Sequence, residues 1–142
     1  MAAAGRARVR PGPLGLVLAE HYRWGFPTGS AFTVGDVVIS RDEFASLLAR
    51  HPGLLDHEEV HARQWMWCCG LPFIPLYLAS MGLSWLRTGD RAAGCLFERQ
   101  AGLARGGYPE APVRPLGHAL RQVVHGRNAA RSRGRRVRAS PA

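Results

Sequence analysis

Two histidines four residues apart, inside a segment of helical length, constrain this chain more than any other feature of its sequence. His57 and His61 lie in the stretch 54–70, which a Pro-Gly pair precedes and a Gly-Leu-Pro triplet follows. Proline and glycine on both sides limit a helix to this interval. Residues four apart on a helix stack on one face, so two imidazoles at this spacing can share one tetrahedral Zn²⁺.

Glu58 completes the pattern H-E-x-x-H, because it directly follows the first histidine. In this pattern the glutamate reaches the water on the metal and acts as its general base. The pattern needs a helix, a third ligand further along the chain and an open fourth coordination position. Without that context, the segment is a surface helix that carries two histidines and two glutamates.

Glu98 is the predicted third ligand, since it is the last acidic residue of the predicted domain. The small residues Ala101 and Gly102 follow about one turn later, where two helices can approach closely. Two soft ligands, Cys68 and Cys95, are alternatives, although buried thiols more often act as small hydrophobes. If Glu98 is solvated, it is instead a surface charge of its helix.

The remaining pattern predicts an α+β fold, mainly α with a small β hairpin. Residues 31–40 are rich in β-branched side chains, and Gly35-Asp36 predicts a two-residue loop between strands at 31–34 and 37–40. One continuous strand is the alternative. Ser40 and Glu43 have the spacing of a capping box before a helix. We expect helices at 44–50, 54–70, 74–86 and 91–104.

The net charge of +9 belongs to the ends of the chain. Residues 1–10 contain three Arg and no acid, residues 11–108 have a net charge of −1, and residues 109–142 contain eight Arg and one Glu. We therefore predict a disordered arm over 1–13, one domain over 14–108 and an Arg-rich, mostly disordered tail over 109–142. The near-neutral domain does not predict specific nucleic-acid binding, whereas the tail could bind an anionic surface.

Residues 64–86 form a run of 23 residues without a formal charge. As one helix this run would extend about 34 Å, enough to cross a bilayer. Gly70, Pro72 and Pro75 interrupt it, so we expect a buried turn and the third helix of a globular core. Contact of this run with a membrane is the alternative.

Cysteine content and the N-terminal region predict a cytoplasmic protein, with membrane association as the alternative. Three cysteines, two of them adjacent, do not form a disulfide framework. The apolar run at 14–19 is too short for a signal peptide, and no secretion signal is expected.

The arrangement of motifs resembles compact bacterial zincin-like domains of unknown function, some of which accompany contractile injection systems and polymorphic toxins. The resemblance covers residues 31–108 and depends on these segments: 31–38, the pattern Leu-Leu-x-His-Glu-x-x-His-x-x-Gln at 54–64, Gly70–Leu78 and Phe97–Tyr108. It implies a minimal metallopeptidase-like fold in which Glu98 is a gluzincin-type ligand. The sequence departs from the pattern at Glu59, where an apolar residue is common, and at the Cys68-Cys69 pair.

Our first hypothesis is a zinc-dependent, gluzincin-like peptidase with one Zn²⁺ per chain, acting on a peptide or protein. His57, His61 and Glu98 bind the metal and Glu58 is the base. Tyr108 and Arg105 are weak candidates for substrate binding or for stabilising an oxyanion, as is His118. The strand at 37–40 would lie beside the helix and pair with the substrate.

Two further hypotheses stay open. About 80 ordered residues leave little room for a substrate cleft, which favours a non-catalytic zincin-like metal-binding or interaction module. The third hypothesis assigns the main function to the Arg-rich tail, as a binder of nucleic acid or membrane.

Overall fold

A four-stranded mixed sheet and four α-helices make up the computed structural model, which describes residues 7–23 and 30–121. The strands are β1 (Arg8–Pro11), β2 (Val17–Glu20), β3 (Ala31–Val34) and β4 (Val37–Ser40); the helices are α1 (Phe44–Arg50), α2 (Leu54–Trp67), α3 (Phe73–Thr88) and α4 (Leu96–Ala101). Residues 116–121 are also helical. The mainly helical α+β fold class predicted from the sequence is confirmed.

The sheet has the order β1-β2-β4-β3, with β3 at one edge. β3 and β4 form the predicted antiparallel hairpin, in which Val34 pairs with Val37. Gly35 in the loop has a φ of +65°, a left-handed conformation that glycine adopts without strain. β2 pairs in parallel with β4 and antiparallel with β1.

The prediction of a disordered arm over residues 1–13 is wrong from Arg8 onward, because Arg8–Pro11 forms β1. All four residues of this strand are exposed, so their composition does not reveal a strand. The backbone ladder with β2 holds the strand in place, and Arg10 pairs at 2.7 Å with the buried carboxylate of Glu20. In the C-terminal tail, residues 122–142 lie outside the described residues.

The hydrophobic core lies between the sheet and the first two helices. Alternate residues of β2 and β4 point to opposite faces, so that Leu18 and Val38 enter one cluster while Ala19 and Ile39 enter another. The larger cluster contains Leu16, Leu18, Val38, Phe44, Leu47, Leu54 and Leu55. Since Leu54 and Leu55 belong to this cluster, the first turn of α2 is fixed against the sheet.

The predicted capping box is wrong, although α1 has the predicted bounds. Ser40 ends β4, and its hydroxyl donates to the carbonyl of Ser30 and accepts from the N–H of Asp42. Glu43 occupies the N-cap position without a capping hydrogen bond from its side chain. Ser40 therefore closes a turn and does not cap the helix.

The fourth helix is shorter than predicted, because residues 91–95 form a turn. One carboxylate oxygen of Asp90 accepts hydrogen bonds from the N–H groups of Ala92 and Ala93, both at 2.8 Å. The hydroxyl of Ser84 accepts a hydrogen bond from the N–H of Gly94. These contacts hold the turn against α3, and α4 begins only at Leu96.

The expectation that residues 64–86 are buried is also wrong. Only Phe73 and Ser84 are buried in α3, and Trp67 and Leu71 before it are each 74% exposed. Across residues 7–23 and 30–121, no helix combines the length and the apolar character needed to span a membrane.

Replacement of Phe44 should test the core. Phe44 is fully buried, so Phe44→Ala should lower the free energy of unfolding by about 3–5 kcal/mol through lost burial and a residual cavity. Leu14→Ala removes a side chain that is 59% exposed and should cost less than about 0.5 kcal/mol. Urea denaturation of both variants measures the difference, and equal losses would contradict this description of the core.

Candidate metal centre

The candidate site lies between α2 and α4. α2 places His57 and His61 one turn apart on its buried side, and α4 supplies Glu98. All three side chains are buried. α4 ends at Ala101, and the following Gly102, with a φ of +90°, turns the chain back toward α2.

The three side chains converge on one small space. The Nε2 atoms of His57 and His61 are 3.1 Å apart. Nε2 of His57 is 3.2 Å from Oε2 of Glu98, and Nε2 of His61 is 3.6 Å from Oε1. Ligand atoms about 2.0–2.1 Å from a tetrahedral metal are about 3.3 Å apart, so these three residues could hold a metal ion.

Hydrogen bonds to the far side of each ring fix the histidine tautomers. Nδ1 of His57 is 3.1 Å from the carbonyl oxygen of Gly102, which can only accept, so Nδ1 is the donor. Nδ1 of His61 is 2.8 Å from Oε1 of Gln64. The amide nitrogen of Gln64 donates to Phe97 O and to Gln100 Oε1, which leaves Oε1 of Gln64 as an acceptor. In neutral rings both Nε2 atoms therefore have lone pairs.

Two nitrogen lone pairs and a carboxylate thus face one another in a buried space. Oε2 of Glu98 is buried and has no hydrogen-bond partner among the described residues. A buried acceptor in this state is costly, and like dipoles that face one another add to the cost. The arrangement therefore favours a cation between these atoms, either an extra proton on a histidine or a metal ion. Two imidazoles and one carboxylate are a common donor set for divalent transition metals.

The electrostatics of the site reflect this convergence. Burial raises the pKa of Glu98. The hydrogen bonds that His57 and His61 donate when they are protonated, together with the hydrogen bond from Tyr77, outweigh this effect and lower the pKa to about 2. Burial lowers the pKa of His61, while its hydrogen bond to Glu98 and the negative charge of Glu98 outweigh this and raise the pKa. The carboxylate therefore stays ionised and favours a positive charge beside it.

Glu58 lies on the side of α2 that contacts β3. It is buried, and the hydroxyl of Thr33 donates to its Oε2 at 2.6 Å. Burial raises the pKa of Glu58, and the charges of the two histidines and the Thr33 hydrogen bond oppose this only in part. A carboxylate with a raised pKa is a stronger base than an ordinary glutamate and is suited to accept a proton and release it again.

Tyr77 is the site residue that sequence reasoning missed. It lies on α3, and its hydroxyl donates a hydrogen bond to Oε1 of Glu98. Burial and the charge of Glu98 raise the pKa of Tyr77, so it stays protonated and acts as a donor. Its signal in the sequence was weak, because a tyrosine in an apolar helix more often packs in a core.

Tyr108, a weak candidate for substrate binding on the sequence alone, lies beside the ligand group. Its ring centroid is 5.9 Å from that of His57, and burial raises the pKa of its hydroxyl. Gly106 lets this loop approach, because a Cβ at position 106 would lie 2.6 Å from Cε1 of His57.

The other predicted residues are not part of the group. Arg105 is exposed and packs its side-chain stem over Gly53 and Gly102, and His118 is exposed as well. Within the described part of the chain, the ligand group contains neither Cys68 nor Cys95.

Comparisons with protein-family models, with curated proteins and with solved structures find no match to this chain. The resemblance to zincin-like domains therefore stays a prediction, and the chemistry of the site rests on the residues themselves.

Replacement of Gln64 should weaken metal binding without removing a ligand. Gln64→Leu removes the acceptor for Nδ1 of His61, so the ring loses its fixed orientation and tautomer. We expect zinc affinity to fall by about 10–100-fold, as for other outer-shell groups. Gln100→Ala is the control, because it leaves the His61–Gln64 hydrogen bond in place. Competition with a fluorescent chelator measures both, and equal affinities would contradict this role.

The low pKa of Glu98 predicts a pH dependence of stability in the metal-free protein. Its folded pKa of about 2 lies below the ordinary value of 4.5, so Glu98 stabilises the fold above pH 4.5. This contribution falls as the pH is lowered from 4.5 toward 2. The stability gap between wild type and Glu98→Gln should therefore shrink between pH 7 and pH 3 in the presence of chelator. A gap that does not change with pH would contradict the assignment, and the exposed Glu110→Gln serves as control.

Proposed function

We propose that this protein is a zinc-dependent peptidase of the gluzincin type. The observation that carries the proposal is the convergence of His57, His61 and Glu98, all three of which interact electrostatically with the buried carboxylate of Glu58. Several catalytic zinc sites have two histidines and one glutamate as ligands and keep the fourth coordination position open. We infer zinc because this donor set suits it, with one ion per chain.

Zinc, when bound, would supply Lewis-acid chemistry, in which it polarises a carbonyl and lowers the pKa of water. Glu58 then acts as the general base. Its Oε2 accepts from Thr33, which leaves Oε1 to take a proton from the attacking water. The same carboxyl group returns the proton to the amine that leaves when the peptide bond breaks.

Strand β3, not the predicted strand at 37–40, is the place for an extended substrate. β4 pairs with β2 on one side and β3 on the other, so it has no free edge. β3 is an edge strand, contacts α2 and contains Thr33, the partner of Glu58. A peptide that adds to this edge would run past the base.

Tyr108 is the preferred candidate to stabilise the oxyanion. Its pKa is raised, so at neutral pH it can donate a hydrogen bond, and its ring lies close to His57. The hydroxyl of Tyr77 is already engaged by Glu98, which makes it a positioning group for that carboxylate. Arg105 is exposed and is the weaker candidate.

A second candidate function is a non-catalytic metal-binding module. The observation that favours it is the burial of the ligands, since His57 is 1% exposed and Glu98 is 2% exposed. A substrate carbonyl could reach a metal at these buried ligands only if a neighbouring segment moved. The tail as a binder of nucleic acid or membrane stays a separate proposal, tested by the salt dependence of its binding.

Metal content and cleavage together should separate these functions. Wild type should contain one zinc per chain by elemental analysis, and His57→Ala and Glu98→Gln should lose it. Glu58→Gln should keep the zinc and lose peptide cleavage by a factor of at least about 10². Glu59→Gln is the matched control, because Glu59 is adjacent but pairs with Arg63 outside the site.

Two outcomes would contradict the proposal. Zinc retained in Glu98→Gln would remove the third ligand. Zinc present in wild type, with no cleavage of a mixed peptide library, would favour the non-catalytic module.

A further inference from the structure

Helix α3 exposes apolar side chains and turns its polar side chains toward the protein, which is the opposite of a helix that faces water. Every exposed residue of α3 is nonpolar: Ile74, Pro75, Leu76, Leu78, Ala79, Gly82, Leu83 and Trp85. A surface helix of a globular protein normally has charged and polar side chains on its outer side. The outer side of α3 has no exposed polar or charged side chain.

The polar side chains of α3 instead face the protein. Tyr77 donates to Glu98, and the hydroxyl of Ser80 accepts a hydrogen bond from the N–H of Leu96 at 2.8 Å. The hydroxyl of Ser84 is fully buried and donates to the carbonyl of Asp90 at 2.6 Å. The helix is therefore fixed in this orientation by specific contacts, and its apolar side is held outward.

The apolar surface continues onto the end of α2 and the connection to α3. Eight large apolar side chains there are each between 41% and 74% exposed: Met66, Trp67, Leu71, Ile74, Leu76, Leu78, Leu83 and Trp85. We refer to these eight residues as the apolar face. Monomeric proteins in water rarely expose so many large hydrophobic groups from one continuous segment. The face therefore needs an occupant.

Positive charge at the border of the face identifies the occupant. Arg87 and Arg91 follow the last residue of the face. Backbone and side-chain hydrogen bonds join Arg87 to Arg114, so the C-terminal segment starts beside the end of α3. The sequence from 122 to 142 then contains six Arg and no acidic residue. Apolar side chains next to the described Arg87, Arg91 and Arg114 match the two chemical features of an anionic bilayer surface.

The two tryptophans of the face agree with this occupant. Trp67 lies at the end of α2 and Trp85 in the last turn of α3, and both are exposed. Tryptophan is favoured at the level of lipid headgroups, where its ring is apolar and its N–H stays hydrated. The 16 residues of α3 extend about 24 Å, less than the hydrocarbon thickness of a bilayer.

We propose that the apolar face docks onto the surface of an anionic lipid bilayer, with α3 lying along that surface. The charged residues Asp56, Glu59 and Arg63 on α2 limit insertion to the last turn of that helix. This inference does not depend on the proposed peptidase function.

Vesicle flotation of the full-length protein tests the proposal. Vesicles of phosphatidylcholine and phosphatidylglycerol in a 70:30 ratio are compared with pure phosphatidylcholine. We expect wild type to float with the anionic vesicles and to bind the neutral ones more weakly. Leu78→Glu should weaken binding at least about tenfold, because it places a charge in the apolar contact. Leu14→Glu is the matched control, since Leu14 is 59% exposed and Leu78 is 57% exposed.

Tryptophan emission gives a second measurement. Binding of anionic vesicles should shift the emission of wild type to shorter wavelength, and Trp67→Phe/Trp85→Phe should lose most of that shift while Trp24 and Trp65 remain. A shift that persists in the double variant would contradict the proposed contact.

Three results would overturn the proposal. One is equal vesicle binding by Leu78→Glu and Leu14→Glu. Another is binding that disappears fully in high salt and is insensitive to Leu78→Glu, which would assign it to the arginines alone. The third is the absence of vesicle binding together with a dimer of wild type that Leu78→Glu dissociates, which would make a second copy the occupant. A urea unfolding transition of Leu78→Glu like that of wild type would show that the variant is folded, and this control is independent of the proposed peptidase function.

Discussion

The mutual approach of two imidazole nitrogens and a carboxylate is the interaction that joins α4 to α2. The largest hydrophobic cluster lies between the sheet and the first two helices, whereas α4 buries only Glu98 and Ala101. α4 is therefore joined to α2 mainly through polar contacts: the ligand group, the carbonyl of Gly102 and the amide of Gln64. A cation at the centre would turn a repulsive arrangement into an attractive one, and its binding would then be coupled to the position of α4.

Aromatic rings provide the apolar part of the same assembly. Phe73 lies 5.1 Å from Phe97 and 5.5 Å from Trp65, measured between ring centroids, and Tyr77 lies 5.9 Å from His61. α3 thus contacts the site through its inner side while its outer side is fully apolar. Helix α3 orients the carboxylate of Glu98 on its inner side and presents the proposed lipid contact on its outer side. Metal binding and lipid binding would therefore both act on this one helix.

The sequence predicted the three residues that converge between α2 and α4, but it did not predict the strand at the β1 edge of the sheet. Two histidines four residues apart on a helix lie on the same face, whatever the neighbouring residues are. Glu98 could then be predicted as the third ligand because it is the last acidic residue of the predicted domain. Strand β1 was missed because its stability comes from backbone pairing with β2, which the Arg- and Pro-rich composition does not indicate. Tyr77 could not be assigned, because its partner is distant in the chain. For α3 the apolar pattern predicted a helix, but an apolar run cannot by itself say whether it packs against protein or faces outward.

Gly106 has a consequence for how this chain can change over evolutionary time. A single added carbon at that position would overlap the imidazole of His57, at 2.6 Å from Cε1 and 2.8 Å from the nitrogen that would bind a metal. The loop that brings Tyr108 to the site thus leaves no space for the smallest possible increase in side-chain size. Any substitution of Gly106, a residue with no functional group of its own, would therefore force the His57 ring or this loop to shift.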